Sequence, residues 1–209
     1  MGVTEQRAAL VASLRRKGLR DERVLAAIGE VPRHLFVPDE LLPEAYEDKP
    51  LPIGEDQTVS QPLVVGLMCE AAALRPTDQV LEVGTGCGYA AAVTSRLCAQ
   101  LDSIERLDSL AAAAAARLAS IAPGVRVHVG DGAKGLRERG PYDAILVTAA
   151  AAKIPEPLLW QLKPGGRLVM PVGPPASQKL VRVRRTADGF EEEVLTEVRF
   201  VPLISGSSR

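Results

Sequence analysis

The chain has 209 residues, 46% hydrophobic and 24% charged, with a formal net charge of −1. That length suits one domain with a substantial core, and that composition excludes a disordered chain. The balanced charge recruits neither nucleic acid nor an anionic membrane surface; the one dense basic cluster, Arg182, Arg184 and Arg185, alternates like an exposed strand face.

Helical periodicity covers Val3–Lys17 and Asp21–Glu30, with Gly18 between them. The first stretch carries Glu5, Arg7, Arg15 and Arg16, which suits an amphipathic helix better than a signal peptide. Val31–Pro62 holds Pro32, Pro38, Pro43, Pro50, Pro52 and Pro62 and reads as a long, functional loop. Leu63–Leu74 reads as a helix. Then the pattern alternates: strand Gln79–Val83, helix Gly88–Cys98, strand Leu101–Glu105, Ala-rich helix Leu107–Ile121, strands Val125–Val129 and Tyr142–Thr148. A helix over Pro155–Leu162 is expected to stop at Pro164–Gly166, before strand Arg167–Pro171. Such alternation predicts a parallel sheet covered on both faces. Lys179–Arg185 and Glu193–Val201, around a turn at Asp188–Gly189, predict antiparallel edge strands. The low-polarity stretches 110–122 and 144–152 fall short of the roughly 20 residues that span a bilayer. Cys69, Cys87 and Cys98 show no CxxC spacing, so neither a disulfide framework nor a zinc site is expected, and a reducing cytoplasm is the default.

The sharpest local signal is Glu82-Val83-Gly84-Thr85-Gly86-Cys87-Gly88, between a strand and a helix. Its glycines allow a tight turn and close approach of a ligand. The spacing is G-x-G-x-G, not the dinucleotide G-x-G-x-x-G, and no Lys-Ser/Thr follows as in a P-loop. A ligand without phosphates, such as S-adenosylmethionine, suits this loop. Glu105, 21 positions after Gly84, stands where an acidic residue bonds ribose hydroxyls. Asp131, between Gly130 and Gly132, could accept from an adenine amino group or cap a helix. Neither His34 nor His128 sits in a catalytic constellation, and no metal cluster is visible. A carboxylate acceptor fits, since it ionises near pH ~4 and needs no base.

The chain resembles protein-L-isoaspartate (D-aspartate) O-methyltransferases from Val31 to Leu203. The specific blocks are Val31-Pro32-Arg33-His34-Leu35-Phe36-Val37-Pro38, Ala45-Tyr46, Leu51-Pro52-Ile53-Gly54 and Gln57-Thr58-Val59-Ser60-Gln61-Pro62. Downstream they are Ser103-Ile104-Glu105-Arg106, Gly130-Asp131-Gly132, Val147-Thr148-Ala149-Ala150, Gln161-Leu162-Lys163-Pro164-Gly165-Gly166 and Phe200-Val201-Pro202-Leu203. The resemblance implies an α/β, Rossmann-like class I S-adenosylmethionine-dependent methyltransferase fold with an N-terminal helical and loop extension and C-terminal antiparallel strands. It implies methyl transfer to the free α-carboxylate of L-isoaspartyl residues, with no metal. The active-site serine falls on Ser60, with Thr58 and Val59 beside it at the substrate. The donor site falls on Glu82, Gly84, Gly86, Glu105, Asp131 and Gly132, with Thr85 and Gly88 completing the loop. Cys87 and Ala151 depart from the serine and proline of many members, and Glu55-Asp56 place negative charge beside the serine block.

These readings make the chain one methyltransferase domain: 1–75 for N-terminal helices and substrate loop, 76–172 for the donor core, 173–209 for the C-terminal strands. It is expected to be a cytoplasmic monomer acting on isoaspartyl proteins and peptides, without nucleic acid or membrane partners. Ser60 could instead cap the helix beginning near Leu63. A methyltransferase with another acceptor, or a non-catalytic binding module on the same fold, remain the alternatives.

Overall fold

The structure, a computed structural model, describes residues 2–206; residues 207–209, in the third of those segments, lie outside the described residues, as does residue 1. Helices α1 (Val3–Arg16) and α2 (Glu22–Glu30) pair at the N-terminus. Asp21 caps α2, its carboxylate accepting from the Arg23 N–H. Leu10 and Leu14 of α1 and Val24, Leu25 and Ile28 of α2 bury the shared stripe.

The proline-rich stretch is more ordered than a loop. It contains two 3₁₀ turns, Arg33–Phe36 and Asp39–Glu44, and a hairpin of β1 (Leu51–Gly54) and β2 (Gln57–Val59). Proline forbids the α-helical ladder but tolerates short turns and two-stranded edges. The knot of this stretch is Arg33, fully buried. Its guanidinium donates to the carbonyls of Ala45, Lys49 and Ser60 at 2.7, 3.1 and 3.1 Å, and lies 5.2 Å over the Tyr89 ring. Three stretches of backbone are thus held by one side chain. Helix α3 (Pro62–Ala72) follows, with proline at its start, where a missing N–H costs nothing.

The sheet comprises β3 (Gln79–Val83), β4 (Gln100–Glu105), β5 (Val125–Val129), β6 (Tyr142–Val147), β7 (Leu162–Val172), β8 (Gln178–Arg185) and β9 (Phe190–Val198), in the order β5-β4-β3-β6-β7-β8-β9. Strands β5 to β7 in that order pair in parallel, and β8 and β9 add antiparallel. The connecting helices are α4 (Tyr89–Thr94), α5 (Asp108–Ile121) and α6 (Glu156–Leu159). Alternate strand residues feed two cores: Val80, Leu101, Ala144 and Leu146 face α1–α5, while Leu81, Val83, Ile145 and Val147 face the opposite side with Leu158 of α6.

Several boundaries differ from the sequence reading. Helix α4 ends at Thr94 rather than at Cys98; the Ser95 hydroxyl donates to the Ala92 carbonyl at 2.8 Å, a local bond that competes with the ladder. The helix expected over Pro155–Leu162 shrinks to α6, because the Tyr142 N–H takes the Gln161 carbonyl at 2.7 Å and the chain is in the sheet by Leu162. Pro164–Gly166 therefore lies within β7 rather than stopping a helix, bulging out between the pairs Tyr142↔Leu162 and Ala144↔Arg167. The last strand runs Phe190–Val198 instead of Glu193–Val201. Residues beyond it leave the sheet's edge and bond Ala150: its N–H donates to Val201 O at 2.8 Å, and the Leu203 N–H donates to its carbonyl at 2.7 Å. The basic cluster is partly absorbed: Arg182 pairs with Glu193 and Arg185 caps the Leu162 carbonyl while lying over Trp160. Among the described residues no helix is long and apolar enough to cross a membrane.

Candidate active site

Strand order reverses at β3 and β6, and a cleft opens outside their carboxyl ends, as such switch points require. It encloses about 800 Å³, its solvent-open mouth included. Gly84 leaves β3 at φ +95°, a conformation that penalises any side chain. A Cβ there would strike Thr148 Oγ1, because the Thr148 hydroxyl crosses from β6 to bond the Gly84 carbonyl at 2.6 Å. From the other side, the Gly84 N–H donates to Ile104 O at 2.8 Å. The loop is clamped between two strands before it turns into α4.

Of the residues singled out in the sequence, Thr58, Val59, Ser60, Gly84, Thr85, Gly86, Glu105 and Gly132 all line this cleft. Glu105 is buried at 8% exposure. One carboxylate oxygen accepts the Gly86 N–H at 2.8 Å; the other accepts those of Arg106 and Leu107 at 2.8 and 3.1 Å. It therefore closes the loop against β4 while facing the cavity. Gly132 must be glycine for a packing reason: a Cβ would strike the Val83 side chain.

Ser60 is not the cap of α3. The cap position is Gln61, and the N–H of Leu63 is satisfied by the Asp48 carboxylate at 2.8 Å. The Ser60 carbonyl is held by Arg33, and among the described residues its hydroxyl has no partner. The hairpin delivers it over the donor loop: Glu55 and Asp56 turn with φ of 52° and 56°, and the Glu55 carboxylate accepts from Ser109 Oγ at the start of α5.

Three singled-out residues stand outside the lining. Gly88, with φ +92°, opens α4 and is packed under Leu118. Asp131 caps the 3₁₀ turn Gly132–Lys134 through the Ala133 N–H, and its other oxygen accepts the Gly206 N–H at 2.8 Å. Glu82 is fully buried beneath the loop, bonded to Ser103, and burial pushes its carboxyl up to about 8.

The cleft also takes residues that periodicity could not place: Thr148, Ala149, Arg106, Leu107 and the tail Val201–Ile204. The block Phe200-Val201-Pro202-Leu203 was visible as a resemblance, but nothing local to it says that it returns to β6. Cys87 also lines the cleft; burial pushes its thiol up to about 11, so it is no nucleophile at neutral pH. Each histidine has a partner that the sequence did not suggest. His34 Nδ1 lies 2.6 Å from the Tyr46 hydroxyl, and His128 Nε2 lies 2.8 Å from Asp102. Neither lines the cleft.

The family model of protein-L-isoaspartate(D-aspartate) O-methyltransferase matches residues 5–208. A protein-L-isoaspartate O-methyltransferase of Roseiflexus castenholzii is 53% identical over 99% of this chain and 95% of its own length. One of Methylorubrum extorquens is 56% identical, over 91% and 84%. A solved structure of a protein-L-isoaspartate O-methyltransferase superposes with a TM-score of 0.85 at 31% identity; it covers 94% of this chain, which spans 65% of that longer one. A Plasmodium falciparum β-aspartate methyltransferase, crystallised with S-adenosyl-L-homocysteine, shares the fold with a TM-score of 0.81 at 23% identity over 95% of this chain and 98% of its own. The switch-point cleft, the glycine loop and Ser60 that both line it, and these matches along nearly the whole length agree: the chain belongs to the protein-L-isoaspartate(D-aspartate) O-methyltransferase family.

Proposed function

We propose that the chain transfers the methyl group of S-adenosylmethionine to the free α-carboxylate of L-isoaspartyl residues in damaged proteins and peptides, the step that starts their repair. The observation that carries this reading is one cleft lined by both the glycine loop and Ser60, whose hydroxyl has no partner among the described residues. The lining fits the donor. Gly84 and Gly132 sit where a Cβ would strike Thr148 and Val83, Gly86 takes a positive φ of 54°, Val83, Ile104, Leu107 and Leu203 supply apolar wall, and Glu105 and Arg106 are the charged members.

The bound donor supplies an electrophilic methyl group on a sulfonium centre. The protein's own part is placement. Glu105 receives the ribose hydroxyls while its N–H contacts keep the loop closed. Thr85 and Gly86 after β3, and Gly132 after β5, shape the donor pocket. Ser60, presented by Arg33 and flanked by Thr58 and Val59, hydrogen-bonds the acceptor carboxylate and holds it in line. That carboxylate is ionised above pH ~4, so no residue has to remove a proton from it. The hairpin and the tail Val201–Ile204 cover the cleft and limit water. Glu82, Gly88 and Asp131 support the donor site from beneath or beside it. We further read the chain as one methyltransferase domain, acting as a cytoplasmic monomer.

Labelled methyl from S-adenosylmethionine should pass to an isoaspartyl peptide and not to its aspartyl isomer. Equal labelling of both peptides, or of neither, would refute the acceptor assignment.

A further inference from the structure

Glu82 is the one residue of the donor motif whose side chain cannot touch a ligand. It is completely buried on β3, paired in register with Ser103 of β4 and Leu146 of β6. One carboxyl oxygen lies 2.6 Å from Ser103 Oγ; the other has no partner. Ser103 Oγ in turn lies 2.6 Å from Thr85 Oγ1, and Thr85 lines the cleft. A chain of hydrogen bonds thus runs from a sealed carboxyl group to the cavity wall.

The groups facing Glu82 offer its charge nothing. Glu105 on β4 repels it. The thiols of Cys69 on α3 and of Cys98 beyond α4 are pushed upward in part by it. Among the described residues no ion pair includes it. A carboxylate with one bare oxygen and no counter-charge in an apolar interior is strongly disfavoured against its neutral acid.

The protonation state fixes the sense of the whole chain, because each hydroxyl has one proton to donate. With Glu82 neutral, its O–H donates to Ser103, Ser103 donates to Thr85, and Thr85 is left to donate into the cleft. With Glu82 ionised, the proton having gone to solvent, Thr85 donates to Ser103, Ser103 donates to Glu82, and Thr85 turns a lone pair to the cleft. We propose that Glu82 is a positioning residue of the donor site: held as the neutral acid, it orients Ser103 and Thr85 so that the Thr85 hydroxyl presents its proton to an acceptor atom of the bound donor. The proposal rests on the S-adenosyl donor occupying this cleft. The upward shift of the Glu82 carboxyl, to about 8, agrees with it and places the reversal in mildly alkaline solution.

Calorimetric titration with S-adenosylhomocysteine between about pH 6.5 and 9.5 tests it on the parent, Glu82→Gln and Glu82→Leu. The Gln amide donates to Ser103 in the same sense as the acid, so it should recover most of the affinity lost in the Leu variant, about tenfold at neutral pH. The parent should lose affinity as pH rises through about 8, and the Gln variant should not. Titration of the ligand's own amino group is common to both and cancels in their ratio. A Gln variant no better than Leu, or one that keeps the parent's alkaline loss, would overturn the proposal. In the parent alone, the infrared carbonyl band of a buried carboxylic acid should be present at the low end of the range and gone at the high end; its absence throughout would overturn it independently of any variant. Failure of the parent to bind S-adenosylhomocysteine at any pH would instead overturn the donor reading itself.

Discussion

Replacing Arg33 with methionine separates two roles that the structure gives to one side chain. The guanidinium is fully buried and satisfies the carbonyls of Ala45, Lys49 and Ser60. Among the described residues no carboxylate pairs with it directly, and burial lowers its pKa. Methionine fills much of the volume but donates nothing. Each carbonyl left unpaired costs about 1–2 kcal/mol, and the lost contact with the Tyr89 ring adds about 1 kcal/mol. Relief from burying a charge offsets part of this, leaving a net destabilisation of about 3–5 kcal/mol. For a chain of this size each kcal/mol lowers the melting temperature by about 2–4 °C, so a drop on the order of 10 °C is expected. The second effect is on chemistry. Arg33 holds the Ser60 backbone, and a misplacement of ~1 Å can cost about a hundredfold in rate. Well below the new melting temperature, kcat/KM for an isoaspartyl peptide should therefore fall ~10- to 100-fold, while S-adenosylhomocysteine affinity stays within about threefold. Lysine, which can reach fewer of the carbonyls, should fall between methionine and the parent. Denaturant unfolding with initial-rate kinetics decides. A variant within 1 kcal/mol of the parent would show that these carbonyls find other partners. A destabilised variant with unchanged kcat/KM would show that Arg33 is purely structural.

Ser60→Ala should leave the unfolding midpoint within about 0.5 kcal/mol, since its hydroxyl neither caps α3 nor bonds a described residue, yet turnover should fall about tenfold or more; a variant that only melts earlier would return the residue to a structural role. Glu105→Ala leaves the N–H groups of Gly86, Arg106 and Leu107 unpaired and should weaken S-adenosylhomocysteine binding by about 1–3 kcal/mol; unchanged calorimetric affinity removes the ribose assignment. Turnover should be near flat from about pH 6 to 8 and survive His34→Gln and His128→Gln together, provided ester hydrolysis is corrected for; an inflection near 6.5 abolished by either change would show a histidine in the chemistry. Burial, with Arg7 nearby, lowers the His34 pKa, so its contribution to stability is complete above the unfolded value of 6.5 and is lost as pH falls below it. At Asp102, burial raises the carboxyl but the hydrogen bonds of Arg126 and His128 outweigh it and leave the group below 3.8; its stabilisation holds above that value and disappears as pH falls through the lowered one. Acid unfolding of Asp102→Asn, compared with the parent, should show this loss at neutral pH and a convergence at low pH.

What the sequence by itself determined is what depends on neighbours along the chain. Alternating apolar runs predict β3, β4, β5 and β6 within a residue or two, because strand and helix periods are local properties. Gly84-Thr85-Gly86 after β3 predicts a ligand loop because only glycine takes that turn at no steric cost. Local reading failed where a distant partner outbid propensity. Pro155–Leu162 looks helical, but the Tyr142 N–H claims Gln161 O and draws the following residues into the sheet. Local spacing left Ser60 open between a site residue and a helix cap; Asp48, 15 positions before Leu63, takes the capping duty. The tail Val201–Ile204 becomes a cleft wall only because Ala150 bonds both Val201 and Leu203. Glu82 and Glu105 read alike in the sequence, as acids near the carboxyl ends of adjacent strands. Both are buried, and the fold tells them apart: Glu82 is sealed beneath the loop against Ser103, and Glu105 faces the cleft with its oxygens bonded to the loop. Those outcomes belong to tertiary structure, because a hydrogen-bond partner 15 or more positions away leaves no periodic trace in the segment that it captures.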